Sequence, residues 1–217
     1  MIKWLEDAVF YEVYPQSFRD SNGDGIGDIP GITEKLEYIQ ELGCNALWIN
    51  PCFTSPFYDA GYDVEDYYSV APRYGTNEDL KKLFEAAHQR GMHVLLDLVP
   101  GHTAVTHPWF QESMKAEKNE YTDRYVWTDS LYKRMEDVKG IVSVLRGISP
   151  RPASCGVNCF STQPALNYGF ANITDAGWQQ PTDAPGPMAT SEELKNIIWF
   201  WLTLGCDGFR VDMAGSL

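Results

Sequence analysis

The sequence has no apolar run long enough to cross a membrane, no CxxC pair, and few basic residues for its acidic content. Each absence excludes something. The opening "MIKWLEDAVFYEVY" lacks the hydrophobic stretch of a signal peptide or a membrane span, so the expected location is cytoplasmic, away from the membrane. Seventeen Lys and Arg against 30 Asp and Glu leave a net charge of −13. A phosphate backbone would be repelled, which excludes a nucleic-acid partner. Five cysteines, at 44, 52, 155, 159 and 206, are an odd, scattered set without zinc spacing. What is present is apolar and aromatic. Hydrophobic residues make up 44% of 217, enough for a sizeable core, and seven Trp and twelve Tyr supply flat amphipathic rings. Sugars stack well on such rings, although an ordinary core uses them too.

Three segments repeat one arrangement: amphipathic helix, glycine, short apolar strand. Ile32, Leu36, Ile39 and Leu42 form a stripe ending at Gly43 before "ALWIN". Leu80, Leu83, Phe84 and Ala87 do the same before Gly91 and "HVLLDLV". Leu194, Ile197, Ile198, Trp201 and Leu202 precede Gly205 and "GFRVD". Glycine just past the last periodic residue is a left-handed stop signal. Asn77 is the expected cap of the second helix, and Thr190 with Glu193 forms an expected capping box for the third. "VFYEVYPQSF" reads as a first strand. Near-continuous apolar strands alternating with helices predict an α/β protein with a parallel sheet covered on both faces. The stretch from 103 to 175 is irregular and rich in aromatic, proline and polar residues. The expected organisation is therefore barrel-type units β1 to β3 over 1–102, a small inserted domain over 103–175, and a further helix and fourth strand over 176–217. A closed (β/α)8 barrel needs eight strands and about 250 residues, so this is an incomplete one.

Polar chemistry collects where those strands end, as it does in parallel α/β folds. Arg210 and Asp212 are two apart and share a strand face. A guanidinium beside a carboxylate keeps it ionised. An ionised carboxylate in an aromatic cleft suits a retaining glycosidase nucleophile, and a buried Arg–Asp tie between strands uses the same two residues. "DSNGDGIGD", residues 20–28, sets Asp20, Asn22, Asp24 and Asp28 among three glycines. Its oxygens resemble the start of a helix–loop–helix calcium loop, but the twelfth position is Gly31 where a bidentate glutamate belongs. A solvated turn cluster has the same composition.

"DSNGDGIGD", "SPFYDAGYDVEDYY", "DLVPGHT", "QPALN" and "GFRVDMA", in this order, resemble the α-amylase family of glycoside hydrolases, in particular its oligo-1,6-glucosidase, α-glucosidase and trehalose-synthase branch. The resemblance runs from "YEVYPQSF" to the last residue. It implies the N-terminal half of a (β/α)8 barrel with a small domain inserted after the third strand, and an α-glucoside oligosaccharide as substrate. It implies Asp212 as nucleophile and Arg210 as the arginine that orients it. His102 and Asp59 would hydrogen-bond the sugar, Tyr62 would stack on it, Asn167 would border the site, and Asp97 would support from the third strand. It also implies structural Ca2+ or Mg2+ held by Asp20, Asn22, Asp24, the Ile26 carbonyl and Asp28.

Three departures qualify that inheritance. Gly101 stands where the family usually has asparagine before the histidine, so a second calcium is not expected. Ala165 replaces the acid of "QPDLN", which puts inherited linkage specificity in doubt. The family's general-acid glutamate and its His–Asp pair have no counterpart among these residues: Glu192 and Glu193 read as helix caps, and Glu65 lies in the loop after the second strand. The 217 residues alone are expected to be inactive, and an open half-barrel is expected to self-associate over its exposed edges. The other readings are a non-catalytic glycosidase-like protein and a sugar-binding or interaction module without turnover.

Overall fold

A computed structural model describes residues 2–135 and 138–216. The chain forms two compact units. One comprises Met1–Thr54, Tyr67–Leu98 and Ile198–Arg210; the other comprises Ser55–Asp66, Val99–Ile197 and Val211–Leu217.

The first unit is built on a four-stranded sheet in the order β1 (Phe10–Val13), β2 (Ala46–Ile49), β3 (His93–Leu98), β4 (Gly208–Val211). β1 and β2 are parallel with Phe10 opposite Ala46, and β2 and β3 are parallel with Ala46 opposite His93. Ala46, Leu47, Ile49, Val94 and Leu96 are fully buried, which is why these strands read as continuous apolar runs. Each of the Leu, Ile and Val side chains contributes about 1.5–3 kcal/mol by leaving water. Parallel strands need crossovers, and the helices supply them with Ile32, Leu36, Ile39, Leu80, Leu83, Phe84 and Ala87 turned inward and buried. Trp201 is also fully buried: its ring stacks on Phe53 at 5.0 Å and its Nε1 donates to the Tyr67 carbonyl.

Gly43, Gly91 and Gly205 all have positive φ, as helix-stop glycines should. Several element boundaries differ from expectation. The first strand stops at Val13, because Pro15 opens a short helix, Pro15–Phe18. The first helical stripe is divided into Ile29–Glu34 and Leu36–Glu41, with Lys35 leaving helical geometry between them. Helix Asn77–Gln89 is capped by Thr76 rather than Asn77. The Thr76 side chain accepts from the Asp79 amide, Asp79 returns the bond, and Asn77 is the first helical residue. The last helix runs Pro185–Leu204, so Thr190 and Glu193 lie inside it. Thr190 Oγ1 donates back to the Gly186 carbonyl one turn earlier, and Glu192 and Glu193 are not caps.

Asp207, just before β4, joins three elements. It accepts from His88 Nε2 at 2.8 Å, His93 Nδ1 at 2.9 Å and the Val94 amide at 2.8 Å. Burial pushes its carboxyl up, but those hydrogen bonds outweigh burial and hold it below the usual range.

The second unit is mostly irregular, with an antiparallel pair Ser143–Leu145 and Cys155–Val157 and a short helix Pro108–Ser113. Its core is aromatic. Phe110 stacks on Trp127, Tyr125 meets Phe110 edge-on, and Cys155 and Leu166 pack with them. Arg151 lies over Trp127 at 4.4 Å. Backbone bonds weave the loops together: Val126 donates to Ala165, Ala165 to Gly156, and Gly156 to Val126. All five cysteines are free, and burial pushes the thiols of Cys52 and Cys206 up to about 12 and that of Cys155 higher still. Among the described residues no helix is long and apolar enough to cross a membrane.

Candidate active site

The loop Ser55–Asp63 is organised by its last residue. Asp63 is completely buried. Its Oδ1 accepts from the Ser55 hydroxyl (3.0 Å) and the Asp59 amide (3.1 Å), and its Oδ2 accepts from the Tyr58 amide (2.9 Å). Held this way, the loop keeps Phe57 and Ala60 at positive φ, a conformation such residues rarely adopt. Asp59 Oδ2 accepts from Gln163 Nε2 at 2.6 Å. Burial raises the Asp59 carboxyl above its ordinary value while the Gln163 bond opposes that shift; Asp63 and Asp212 add to the rise and His102 works against it. His102 and Asp212, also in the second unit, thus lie within electrostatic reach of Asp59. Asp212 itself lies in the turn after β4, half-buried, followed by Met213 at φ 48°.

His102 is 1% exposed. Its Nδ1 is 2.8 Å from Asn158 Oδ1, and its Nε2 is 3.1 Å from the Tyr62 carbonyl. Asn158 and Gln163 belong to one tight turn, joined by the Asn158 amide donating to the Gln163 carbonyl. That turn therefore touches both His102 and Asp59. Beside it a cavity of about 760 Å³ is lined by Gly101, Asn158, Ala165, Asn167 and Tyr168, among others. Asn167 is 4% exposed; its Nδ2 donates to the Asp123 carbonyl and Gln180 Oε1, and its Oδ1 accepts from the Gly169 amide. The Ala165 methyl packs with Val126 and Met135, an apolar setting in which a carboxylate would be costly.

In the first unit, Asp97 is buried on β3 and accepts from Arg210 Nη1 and from Trp48 Nε1, each at 3.0 Å. The Arg210 guanidinium also lies over the Trp48 ring at 4.9 Å. Asp97 on β3 thus fixes one side chain on β2 and one on β4.

The α-amylase catalytic-domain family model matches residues 12–217. The chain belongs to the α-amylase family. Among relatives of this α-amylase family member, an oligo-1,6-glucosidase of Bacillus sp. (strain F5) is 37% identical over 217 residues, all of this chain and 40% of that protein. The trehalose synthase/amylase TreS of Mycolicibacterium smegmatis is 42% identical over 220 residues, 99% of this chain and 34% of that protein. The crystal structure of the trehalose-6-phosphate hydrolase of Bacillus licheniformis superposes with a TM-score of 0.81 at 35% identity, over 96% of this chain and 35% of that one. The chain thus spans well under half the length of the relatives it matches. Its sheet is part of the family's (β/α)8 barrel, and the irregular stretch after β3 is an insertion in it.

In this α-amylase family chain the loop Asp20–Asp28 is folded on its own amides. Asp20 Oδ1 accepts from Asn22 and Gly23, and its Oδ2 accepts from Gly25. Asn22 Oδ1 accepts from Asp24, and Asp24 Oδ1 from Ile26. Bonds from the Gly25 and Gly23 amides hold the Asp20 carboxyl below its usual range. Gly23 and Gly25 adopt positive φ, whereas Gly27 answers a different need: a Cβ there would fall 2.1 Å from the Pro15 carbonyl oxygen. Asp28 caps helix Ile29–Glu34 through the Gly31 amide and accepts from the Ser21 hydroxyl. Among the described residues no three His, Cys, Asp or Glu side chains are gathered as a metal site. The donors are nevertheless all hard oxygens, each with lone pairs beyond those its amide uses, and that chemistry fits Ca2+ or Mg2+.

Three positioning side chains escaped sequence reading: Asp63, Asn158 and Gln163. The signal for Asp63 lay in "SPFYDAGYD", whose final acid closes the loop. Gln163 begins the same "QPALN" that ends in Asn167. Nothing local marks Asn158, whose partner His102 is 56 positions away.

Proposed function

We propose that this chain is the nucleophile-bearing part of a retaining enzyme acting on α-glucosides. Asp212 attacks the anomeric carbon and forms the glucosyl–enzyme intermediate, with Arg210 as its orienting cation. Asp59 hydrogen-bonds the non-reducing glucose, His102 does so by giving up the Tyr62 carbonyl at Nε2, Tyr62 stacks on that sugar, and Asn167 borders the adjoining cavity. Asp97 acts one step back, holding Arg210. The observation that carries the reading is that one turn, from Asn158 to Gln163, ties buried His102 to Asp59, with Asp212 within electrostatic reach of Asp59.

A retaining mechanism also needs an acid about 5 Å from the nucleophile. Glu192 pairs with Lys195 and Glu193 with Asn196 along an exposed helix face, which suits neither for that role. Proton donation to the leaving group is worth about 10²–10⁴-fold, so these 217 residues alone bind sugar without turning it over. In the parent enzyme, Asp212→Asn collapses turnover and leaves maltose or isomaltose affinity nearly unchanged. Retained turnover in that variant would end the assignment.

Ca2+ or Mg2+, held by Asp20, Asn22, Asp24, the Ile26 carbonyl and Asp28, braces the loop and takes no part in chemistry. Calcium should raise the melting temperature of the chain, and Asp24→Ala should remove that rise. A wild type indifferent to both ions refutes the brace.

A further inference from the structure

Asn158 is 2% exposed, and its environment fixes which way its amide points. Its Nδ2 donates to the Gly140 carbonyl at 2.7 Å and lies 3.2 Å from the Ser216 hydroxyl oxygen. A carbonyl only accepts, so a flipped amide would set oxygen against oxygen there. Oδ1 consequently faces His102 Nδ1 at 2.8 Å. An amide oxygen also only accepts, so the proton of that bond belongs to His102 Nδ1, while the acceptor facing Nε2 is the Tyr62 carbonyl at 3.1 Å.

Gly101 completes the arrangement. A Cβ at position 101 would fall 2.6 Å from Asn158 Oδ1 and 3.1 Å from its Cγ. Gly101 is not among the glycines at positive φ, so backbone conformation does not demand glycine there. The space occupied by the Asn158 amide does. An apparent loss in the motif, glycine before the histidine, is thus the counterpart of an amide arriving from a different part of the chain.

We propose that Asn158 is a positioning residue for His102, fixing the proton on Nδ1 and the plane of the ring, and that Gly101 is the residue that leaves room for it. The geometry stands without any ligand, while its consequence for sugar affinity rests on the α-glucoside reading above.

The test uses the 217-residue chain with 15N-labelled histidine, whose four imidazoles are few enough to assign. In the wild type, the His102 Nδ1 proton is present and exchanges slowly with solvent. In Asn158→Ala it exchanges fast, while the bond from Nε2 to the Tyr62 carbonyl is retained. Gly101→Ala produces the same change by displacing the amide, yet adds nothing further in the Asn158→Ala background; that non-additivity marks a shared contact. Maltose affinity falls about tenfold in either variant. A His102 signal that stays slow and Nδ1-protonated in Asn158→Ala overturns the proposal, and so does a silent Gly101→Ala. If Asn158→Ala does not fold, Gly101→Ala alone decides by the same signal. A wild type that binds neither maltose nor isomaltose while its His102 signal follows Asn158 supports the positioning role and refutes the α-glucoside reading instead.

Discussion

Replacing Asp63 by asparagine changes one atom at the end of the loop Ser55–Asp63, and its cost can be worked out bond by bond. The native carboxylate receives three hydrogen bonds while fully buried, two on Oδ1 and one on Oδ2. Asparagine keeps one oxygen. Turned toward Ser55 and Asp59, it presents NH2 to the Tyr58 amide, donor against donor. The charge-assisted bond lost is worth about 1.5–3 kcal/mol, and the Tyr58 amide left without an acceptor costs about 1–3 kcal/mol more. These do not add in full. When the loop lets go, Phe57 and Ala60 leave their positive φ and recover part of a strain of about 1–3 kcal/mol each. The net expectation is about 2–3 kcal/mol, a large share of a typical stability of about 5–15 kcal/mol. Urea denaturation of wild type and Asp63→Asn, with the slope unchanged, measures it directly. Because the Asp59 amide is one of the three donors, calorimetric titration with maltose should weaken in parallel. A stability loss below about 0.5 kcal/mol with unaltered sugar affinity refutes the view that Asp63 holds this loop.

Other expectations concern the first unit. The folded-state carboxyl of Asp207 lies below its unfolded value, so it contributes stability that is present above about pH 3.9 and is lost as pH falls through the folded value. Asp207→Asn should flatten the acid limb of stability against pH, and an unchanged limb would contradict the three-way anchoring of His88, His93 and Val94. Gly31→Ala should destabilise by about 3 kcal/mol or more, since its Cβ would meet the Arg19 carbonyl oxygen at 2.1 Å; a melting temperature within a degree of wild type counts against that contact. Asp97→Ala should shift tryptophan emission, because Trp48 loses its acceptor and Arg210 its ion pair, and an identical spectrum with full stability refutes the triad.

The sheet was legible because its signal is local. Buried parallel strands are continuous apolar words, and a glycine closes each preceding helix, so "ALWIN", "HVLLDLV" and "GFRVD" fell on β2, β3 and β4. Helix starts were less legible, because more than one residue could serve. Thr76 and Asn77 are both good caps, and only the reciprocal bond with Asp79 decides between them. Thr190 resembles a cap, yet Pro185 begins the helix and the threonine hydroxyl turns back to Gly186. In the candidate site, what was legible was the motif words themselves, which carry Asp59, His102 and Asp212. Their supports were not, since Gln163 reaches Asp59 across 104 positions and Asn158 reaches His102 across 56. No periodicity encodes such a pairing.

The buried thiols carry a consequence for watching this chain come apart. With burial pushing Cys52 and Cys206 up to about 12, the folded chain holds almost no reactive thiolate at these positions at neutral pH. A disulfide reagent therefore waits for a breach and times it. Cys52 and Cys206 clock the unit built on the sheet, Cys155 clocks the aromatic one, and mass spectrometry of modified peptides would tell which opens first without any engineered probe.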